Sequence, residues 1–286
     1  MTERRTVARA IAAAREALLS AGVPADEAAG DAEMLARHVL GWDFTQFALR
    51  RNEPVPDDFD ARFMELVARR ARREPVSQIV GRREFWGLDF DVTRDVLTPR
   101  PETELLVESA LAVMPRDART LVVDVGTGTG CLAVALATEL PSASIIATDV
   151  SPAALAVARA NATRHHVDDR IRFVEADLLP PIEHVDLIVS NPPYVAVAEA
   201  DALPPEVREY EPAVALFAGS DGLGVYRRLF AAARIAIQPA GHLIVELGYN
   251  QAVDVAAIAR ARGWAVETVR RDVRGIDRAM TLSPIQ

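Results

Sequence analysis

Asp124-Val125-Gly126-Thr127-Gly128-Thr129-Gly130 is the stretch that decides the fold. It follows an apolar run over 120–125, which predicts a strand, and precedes an alanine-rich run over 131–140, which predicts a helix. A glycine loop between a strand and a helix is the context that a nucleotide-binding turn requires. The dinucleotide fingerprint would place its third glycine where Cys131 stands, and no lysine follows the loop, so a P-loop is excluded. Alone, such a loop is also compatible with a merely tight turn.

Strands and helices alternate from this loop to the C-terminus. Strands followed by helices in turn imply a parallel sheet with helices on both faces. We therefore predict an α/β fold with a parallel sheet. The patterns predict further strands at 143–148, 171–175, 185–190, 242–247 and 264–270, and helices at 102–114, 152–161, 222–237 and 251–262.

The segment before the sheet has a different character. Residues 1–74 read as helices only, predicted at 2–20, 24–41, 43–51 and 56–73. Residues 75–100 alternate or carry aromatics, which predicts a β-hairpin linker with strands at 76–81 and 85–92. We thus predict a helical substrate-docking domain (1–74), the hairpin linker (75–100) and a catalytic domain (101–286). Five arginines cluster on the last helix and form either a solvated face or a docking surface for an acidic or RNA-associated partner: Arg62, Arg69, Arg70, Arg72 and Arg73.

Composition excludes several function classes. The net charge of −9 argues against nonspecific phosphate binding, because that activity needs clustered cations. All 32 basic residues are arginine, so Schiff-base chemistry on a lysine is excluded. One cysteine, Cys131, rules out an internal disulfide and a multi-cysteine metal site, and we expect no metal. Without an apolar run of roughly 20 residues, we expect no membrane span and a cytoplasmic protein.

Acidic residues follow the next two predicted strands. Asp149 lies 23 positions after Gly126, where a carboxylate can accept hydrogen bonds from both ribose hydroxyls of a nucleoside. Asp177, after the third strand, is a candidate for the adenine edge. Singly, each could be a helix cap or a turn residue, but the glycine loop and both acids end three consecutive strands. An adenosine without a pyrophosphate fits this set, which indicates S-adenosylmethionine as the ligand.

The predicted strand at 185–190 leads into Asn191-Pro192-Pro193-Tyr194. The Asn191 side-chain oxygen and the Pro192 backbone oxygen could accept both N–H bonds of a planar amide or amine. The prolines fix the backbone and so hold these acceptors in place. Tyr194 would pack on the flat face of the substrate group. The acceptors would also stabilise the positive charge that develops on nitrogen during methyl transfer, so no dedicated general base is required.

Together these features resemble the class I S-adenosylmethionine-dependent methyltransferases, and more closely the protein-(glutamine-N5) methyltransferases that modify peptide chain release factors. The resemblance covers nearly the whole chain and implies a Rossmann-like, seven-stranded sheet in the α/β domain. Asn-Pro-Pro-Tyr alone is shared with adenine-N6 methyltransferases, so the other segments are more specific. They are Gly81-Arg82-Arg83-Glu84-Phe85-Trp86-Gly87, Thr98-Pro99-Arg100-Pro101-Glu102-Thr103-Glu104, Tyr210-Glu211-Pro212 and the tail Asp272-Val273-Arg274-Gly275-Ile276-Asp277-Arg278, which fits the family's last hairpin.

The resemblance implies roles for individual residues. The cofactor-binding set is Gly126, Thr127, Gly128, Thr129, Gly130, Asp149, Asp177, Leu178 and Asn191. Asn191, Pro192, Pro193 and Tyr194 would hold the substrate glutamine, with Asn191, Pro192 and Tyr194 as the catalytic residues. Some relatives have an aromatic residue at the position of Leu178, so stacking on the adenine is replaced here by an aliphatic contact.

The implied substrate is the glutamine in the Gly-Gly-Gln tip of class I peptide chain release factors. A ribosomal-protein glutamine methyltransferase is the first alternative. An adenine-N6 nucleic-acid methyltransferase is less favoured, because residues 101–286 hold 16 Arg against 24 acids. A non-catalytic binding module is the third alternative, and the intact glycine loop and Asn191 argue against it. We therefore expect no direct nucleic-acid partner.

Overall fold

The computed structural model describes residues 5–286, which form two compact units. The first unit comprises residues 5–81 together with 204–210, and the second comprises 82–203 and 211–286. The helices are α1 (Val7–Ser20), α2 (Ala25–Leu40), α3 (Phe44–Arg50), α4 (Phe59–Ala71), α5 (Val76–Val80), α6 (Glu104–Val113), α7 (Cys131–Glu139), α8 (Pro152–Arg164), α9 (Pro205–Tyr210), α10 (Ala213–Leu216), α11 (Gly224–Ala236) and α12 (Ala252–Ala261). Short 3-10 turns cover Pro101–Thr103, Asp168–Arg170 and Val197–Ala202.

The strands of the described chain belong to a two-stranded hairpin and a seven-stranded sheet. They are β1 (Arg82–Phe85), β2 (Leu88–Asp91), β3 (Leu121–Val125), β4 (Ser144–Asp149), β5 (Ile171–Glu175), β6 (Val185–Ser190), β7 (Ile237–Glu246), β8 (Trp264–Arg271) and β9 (Asp277–Pro284).

The first unit, called the helical unit below, contains helices that form where apolar residues at helical spacing are bounded by capping residues. On α1 the apolar residues at helical spacing are buried, and the Thr6 hydroxyl accepts a hydrogen bond from the backbone of Arg9 at 3.3 Å. Helix α2 ends at Gly41, whose φ of 65° is the left-handed conformation that glycine adopts without strain. The predicted helices of this region are confirmed within the described residues. The predicted start at residue 2 lies outside them, and the observed helix begins at Val7.

One predicted strand of the hairpin region is wrong. Residues 76–81 form the short helix α5 and the glycine that follows it, rather than a strand. Pro75 precedes the helix with a φ of −57°, and Gly81 ends it at 75°, so both boundaries favour a single helical turn over an extended chain. The hairpin itself consists of β1 and β2, joined by Trp86 and Gly87, both of which have positive φ as a tight two-residue turn requires.

The Rossmann-like seven-stranded sheet is confirmed, with the strand order β5-β4-β3-β6-β7-β9-β8. The five strands from β3 to β7 pair in parallel. Beyond β7 the pairing changes, because β9 pairs antiparallel with both β7 and β8, which agrees with the last hairpin that the family resemblance implies. A tight turn rather than a helix joins β8 to β9, and a tight turn reverses the chain direction. Strand β9 was not among the predicted strands.

The arginine cluster of α4 is largely neutralised by acids of its own unit. Arg70 is buried, and its guanidinium bonds Asp31 at 2.6 Å, Glu27 at 2.7 Å and Glu206 at 3.2 Å. Arg73 also bonds Glu206, at 2.6 Å. Arg69 pairs with Glu74, and Arg62 pairs with Asp58. Arg70 is therefore part of the interior of the helical unit rather than of a solvated face.

Candidate active site

Three adjacent parallel strands end at one edge of the sheet and carry the predicted site residues. In the order β4-β3-β6, the strands lead into Asp149, the glycine loop and Asn191 respectively. Ligands of open α/β sheets bind at such carboxyl ends. A cavity of about 290 Å³ opens there. Its walls include all but two of the predicted site residues: Gly126, Thr127, Gly128, Thr129, Asp149, Asp177, Leu178, Asn191, Pro192 and Pro193.

The glycine loop needs glycine for two different reasons. Gly126, Gly128 and Gly130 all have positive φ, at 72°, 53° and 80°. A Cβ atom at Gly126 or Gly128 would meet nothing within 4 Å, so these two leave open space beside the cavity. A Cβ atom at Gly130 would lie 3.1 Å from the Cβ atom of Ala158. Gly130 is not a wall residue of the cavity; it allows the loop to pack closely on α8.

Asp124, at the end of β3, anchors the loop from beneath. Its side chain is fully buried and accepts the Thr127 hydroxyl at 2.6 Å and the backbone N–H of Ala133 at 3.2 Å. Burial raises the pKa of Asp124 to about 7. One buried carboxylate thus connects the loop to the first turn of α7.

Asp149 hydrogen-bonds the backbone of the same loop at Gly128. Its two carboxylate oxygens accept the backbone N–H of Gly128 at 3.0 Å and of Ser151 at 2.9 Å. Each oxygen of an ionised carboxylate has a second lone pair, so both can accept another hydrogen bond. Asp149 can therefore fix the loop and still accept hydroxyl groups from a ligand in the cavity.

Asp177 and Leu178 follow β5 on the adjoining wall. The Asp177 carboxylate is paired with Arg228 of α11, and both side chains are more than half exposed. Leu178 has a φ of 72°, unusual for a branched side chain, and its carbonyl accepts the Thr148 hydroxyl at 2.7 Å. This contact holds the strained backbone, so Leu178 presents an aliphatic surface to the cavity.

The Asn191 side chain on the cavity wall is tied to two residues from distant parts of the chain. Its Nδ2 atom donates to the Thr103 hydroxyl at 3.2 Å. The Thr103 hydroxyl in turn donates to Glu246 Oε2 at 2.6 Å. Thr103 and Glu246 are both buried, and burial raises the pKa of Glu246 to about 7.

Tyr194 lies outside the group of residues that form the cavity wall. Its hydroxyl donates to Glu246 Oε1 at 3.3 Å, and its carbonyl accepts from Gln251 at 2.9 Å. A Cβ atom at Gly248 would lie 2.9 Å from the Tyr194 ring, so the ring packs closely on that glycine. The predicted packing of Tyr194 on a substrate remains a prediction; in the structure this residue anchors the end of the turn.

Two segments that carry the family resemblance, 98–104 and 210–212, contact each other through residues of the second unit. Arg100 forks onto Glu211, with its Nη2 atom 2.8 and 2.7 Å from the two carboxylate oxygens. The backbone N–H of Thr98 also donates to Glu211, at 3.3 Å. Arg100, Thr98 and the neighbouring Pro212 are cavity wall residues. This ion pair therefore connects the segment before α6 to the segment after α9.

The sequence patterns did not single out Asp124 or Glu246 as functional residues. Glu246 interrupts an apolar run of β7, and a lone acid in a buried strand is a signal that could have been used. Thr103 was predicted only as part of the segment 98–104 that resembles the family. No cluster of three or more metal-binding side chains occurs among residues 5–286. No helix of that range combines the length and the apolar character that a membrane crossing requires.

Comparison with known proteins agrees with this architecture. Residues 9–81 match the family described as the PrmC N-terminal domain, and residues 101–203 match the methyltransferase small domain. The release factor glutamine methyltransferase of Cereibacter sphaeroides is 47% identical over 275 residues, covering 96% of this chain and 97% of that protein. The protein of the same name from Geobacter sulfurreducens is 44% identical over 252 residues, covering 87% of each chain.

Solved structures show the same fold at lower identity. The hMettl16 catalytic domain, in complex with the MAT2A 3′UTR hairpin 6, aligns with a TM-score of 0.59 at 18% identity. The alignment covers 77% of this chain and 82% of that chain. At this identity the likeness supports the fold and carries no information on substrate.

Proposed function

This chain belongs to the family of release factor glutamine methyltransferases, and we propose that it methylates the side-chain amide nitrogen of a release factor glutamine. The methyl donor is S-adenosylmethionine, and the target is the glutamine of the Gly-Gly-Gln motif in class I peptide chain release factors. The observation that carries the proposal is that one cavity contains both the glycine loop with Asp149 and the Asn191-Pro192-Pro193 turn. The proposed donor site and the proposed acceptor site therefore share one cavity.

The wall residues fit S-adenosylmethionine. Asp149 has acceptor capacity for ribose hydroxyls, Gly126 and Gly128 leave room beside the loop, and Leu178 offers an apolar surface to an adenine. Asp177 could accept from the adenine amine if it keeps one oxygen outside its pair with Arg228. When bound, S-adenosylmethionine supplies a methyl group on a positively charged sulfur, which is an electrophile.

Asn191 and Pro192 would hold the acceptor. An amide nitrogen is a poor nucleophile because its lone pair is delocalised into the carbonyl group. Two acceptors, Asn191 Oδ1 and the Pro192 carbonyl, would bind its two N–H groups and fix its orientation. The same acceptors stabilise positive charge as it develops on the nitrogen. The prolines restrict φ of the turn, which would hold the Pro192 carbonyl in place before the substrate enters.

The helical unit is proposed to dock the release factor. Four of the five clustered arginines are paired with acids, so the docking surface is better sought on α3. Phe44 and Leu49 of this helix are 66% and 80% exposed, and we propose these apolar side chains as the docking contacts. Replacing both by serine should raise the KM for the release factor and leave kcat unchanged. An unchanged KM would contradict docking at α3.

One assay tests the proposed function against its alternatives. The protein is incubated with labelled S-adenosylmethionine and, in parallel, a class I release factor, ribosomal proteins or DNA. We expect label on the release factor alone, and none on a release factor whose Gly-Gly-Gln glutamine is replaced by alanine. Label on a ribosomal protein or on DNA, with none on the release factor, would overturn the proposal.

A further inference from the structure

The Asn191 turn is held at both ends by one buried carboxylate. Glu246 Oε2 accepts the Thr103 hydroxyl, which itself accepts from Asn191 Nδ2, and Glu246 Oε1 accepts the Tyr194 hydroxyl. The backbone carbonyl of Glu246 accepts the buried Tyr226 hydroxyl at 2.7 Å, which fixes this residue from the other side. These contacts join α6's leading turn, β6 and β7, which are far apart in sequence.

The direction of each hydrogen bond follows from the chemistry of the groups. Above a pH of about 7 Glu246 is ionised, and an ionised carboxylate can only accept, so the Thr103 hydroxyl proton then points to Glu246. The 2.6 Å separation is typical of a strong, charge-assisted bond. With its proton committed, the Thr103 oxygen offers only lone pairs to Asn191. The Asn191 group that faces it must therefore be the NH₂ group, as observed at 3.2 Å.

The opposite orientation of the Asn191 amide is disfavoured both by Thr103 and by the substrate amide. A flipped amide would point its carbonyl oxygen at the Thr103 lone pairs, which would lose the hydrogen bond and add repulsion. It would also present NH₂ protons to the N–H groups of a substrate amide. The flipped amide would leave the buried Thr103 oxygen without its donor, which favours the observed orientation.

We propose that Thr103 and Glu246 are positioning residues that orient the Asn191 amide, so that its oxygen faces the amide N–H of the substrate. The inference rests on the proposed function for the identity of that substrate. Thr103 is also a wall residue of the cavity, and we assign it a positioning role because its hydroxyl bonds both Glu246 and Asn191. Glu246 is not a wall residue and acts on Asn191 through Thr103. These bonds also give Thr103, the last residue of Arg100-Pro101-Glu102-Thr103, a physical role. Its hydroxyl donates to Glu246 and therefore presents only lone pairs to the Asn191 amide. We call the chain Glu246–Thr103–Asn191 the relay.

The test compares Thr103→Val with Thr103→Ser. Valine keeps the shape of threonine without the hydroxyl, whereas serine keeps the hydroxyl. Thr138→Val is the matched control, since its hydroxyl bonds only the Val134 carbonyl on α7. We expect Thr103→Val to lower kcat for the release factor roughly 10- to 100-fold, while the dissociation constant of S-adenosylmethionine stays unchanged. Thr103→Ser should recover most of the lost kcat, and Thr138→Val should behave as the unaltered protein.

A second readout does not depend on activity. The side-chain amide of Asn191, labelled with nitrogen-15, is followed by NMR in the protein without substrate. Thr103→Val should shift these amide resonances and speed their exchange with water, and Thr103→Ser should restore both. An unaltered kcat and an unaltered amide spectrum in Thr103→Val would overturn the relay. Absence of methyl transfer by the original protein, with the amide shift still present, would overturn the proposed function and leave the relay standing.

Discussion

The two halves of the cavity are supported by two buried carboxylates that share the same chemistry. Asp124 accepts a threonine hydroxyl at 2.6 Å beneath the glycine loop, and Glu246 accepts a threonine hydroxyl at 2.6 Å beneath the Asn191 turn. Each stands at the carboxyl end of a central strand, and burial raises the pKa of each to about 7. The two differ in what they hold in place. Asp124 fixes backbone, through Thr127 and Ala133, whereas Glu246 fixes the direction of a side-chain amide.

This difference indicates a division of labour between the two halves. A support that fixes backbone shapes a binding surface, and its loss should weaken cofactor affinity. A support that fixes an amide orientation acts on the reacting group, and its loss should lower turnover. Separate measurements of cofactor binding and of kcat can therefore distinguish the roles of Asp124 and Glu246.

The largest effect is expected for Glu246→Ala. The substitution leaves the hydroxyls of Thr103 and Tyr194 without their acceptor, so the Asn191 amide loses its fixed orientation. We expect kcat to fall roughly 100-fold, with the cofactor dissociation constant within a factor of about two. Single-turnover kinetics and isothermal titration measure the two quantities. A loss confined to cofactor affinity would contradict the assigned role of Glu246.

Asp124→Ala should give the converse result. The Thr127 hydroxyl and the Ala133 N–H lose a buried acceptor, which costs roughly 1–3 kcal/mol for each group. Part of this cost reflects a loosened loop, so we expect the cofactor dissociation constant to rise roughly 10- to 50-fold. At saturating cofactor, kcat should remain close to that of the unaltered protein. Titration with cofactor followed by turnover at saturation checks both statements.

The raised pKa values predict how stability depends on pH. Between the ordinary carboxyl pKa and about 7, the folded protein keeps the protons on Asp124 and Glu246 that the unfolded chain has lost. The folded state then binds more protons, so these groups lower the free energy of unfolding as pH rises, by up to about 1.4 kcal/mol per pH unit for each group. Above about 7 both states are ionised, and this contribution becomes constant.

Glu246→Gln isolates one of the two contributions. Glutamine does not titrate, so its free energy of unfolding relative to the unaltered protein should rise with pH across the same window and level off above it. Chemical denaturation at pH values from about 5 to about 8 measures this difference. A difference that stays constant with pH would show that the carboxyl group is not held protonated by burial.

The smallest effect separates the two kinds of glycine in the loop. Gly130→Ala meets both a positive φ and the contact with Ala158, whereas Gly128→Ala meets only the positive φ. A left-handed conformation costs a non-glycine residue about 1 kcal/mol, and we expect Gly130→Ala to lose roughly 1 kcal/mol more through the close contact. Thermal unfolding of both variants provides the comparison. Equal losses would remove the packing argument for Gly130.

The comparison also explains which parts were predictable from the sequence. The partners of Asp124 stand three and nine positions away, so strand, loop and helix form one continuous pattern in the sequence. Thr103 and Glu246 are 143 positions apart, and only the completed sheet brings them together. The strand order and the role of Glu246 depend on such distant pairings, which periodicity does not reveal.

The incorrect predictions have local physical reasons. Residues 76–81 alternate as a strand would, but Pro75 and Gly81 delimit a helical turn. Strand β9 lies beyond the last strand that the sequence pattern predicted, and the turn after β8 returns the chain antiparallel to β8. Arg70 looks like a member of a charged surface, and its burial follows only from acids that lie 39, 43 and 136 positions away.

The most direct test of the central claim is to locate the transferred methyl group by fragment mass spectrometry. A class I release factor is incubated with S-adenosylmethionine and either the unaltered protein or Asn191→Ala, after cofactor binding by both has been verified. We expect one added methyl group on the Gly-Gly-Gln glutamine with the unaltered protein and none with Asn191→Ala, although this variant still binds cofactor. Near-normal methylation by Asn191→Ala, or a methyl group on another residue of the release factor, would contradict it.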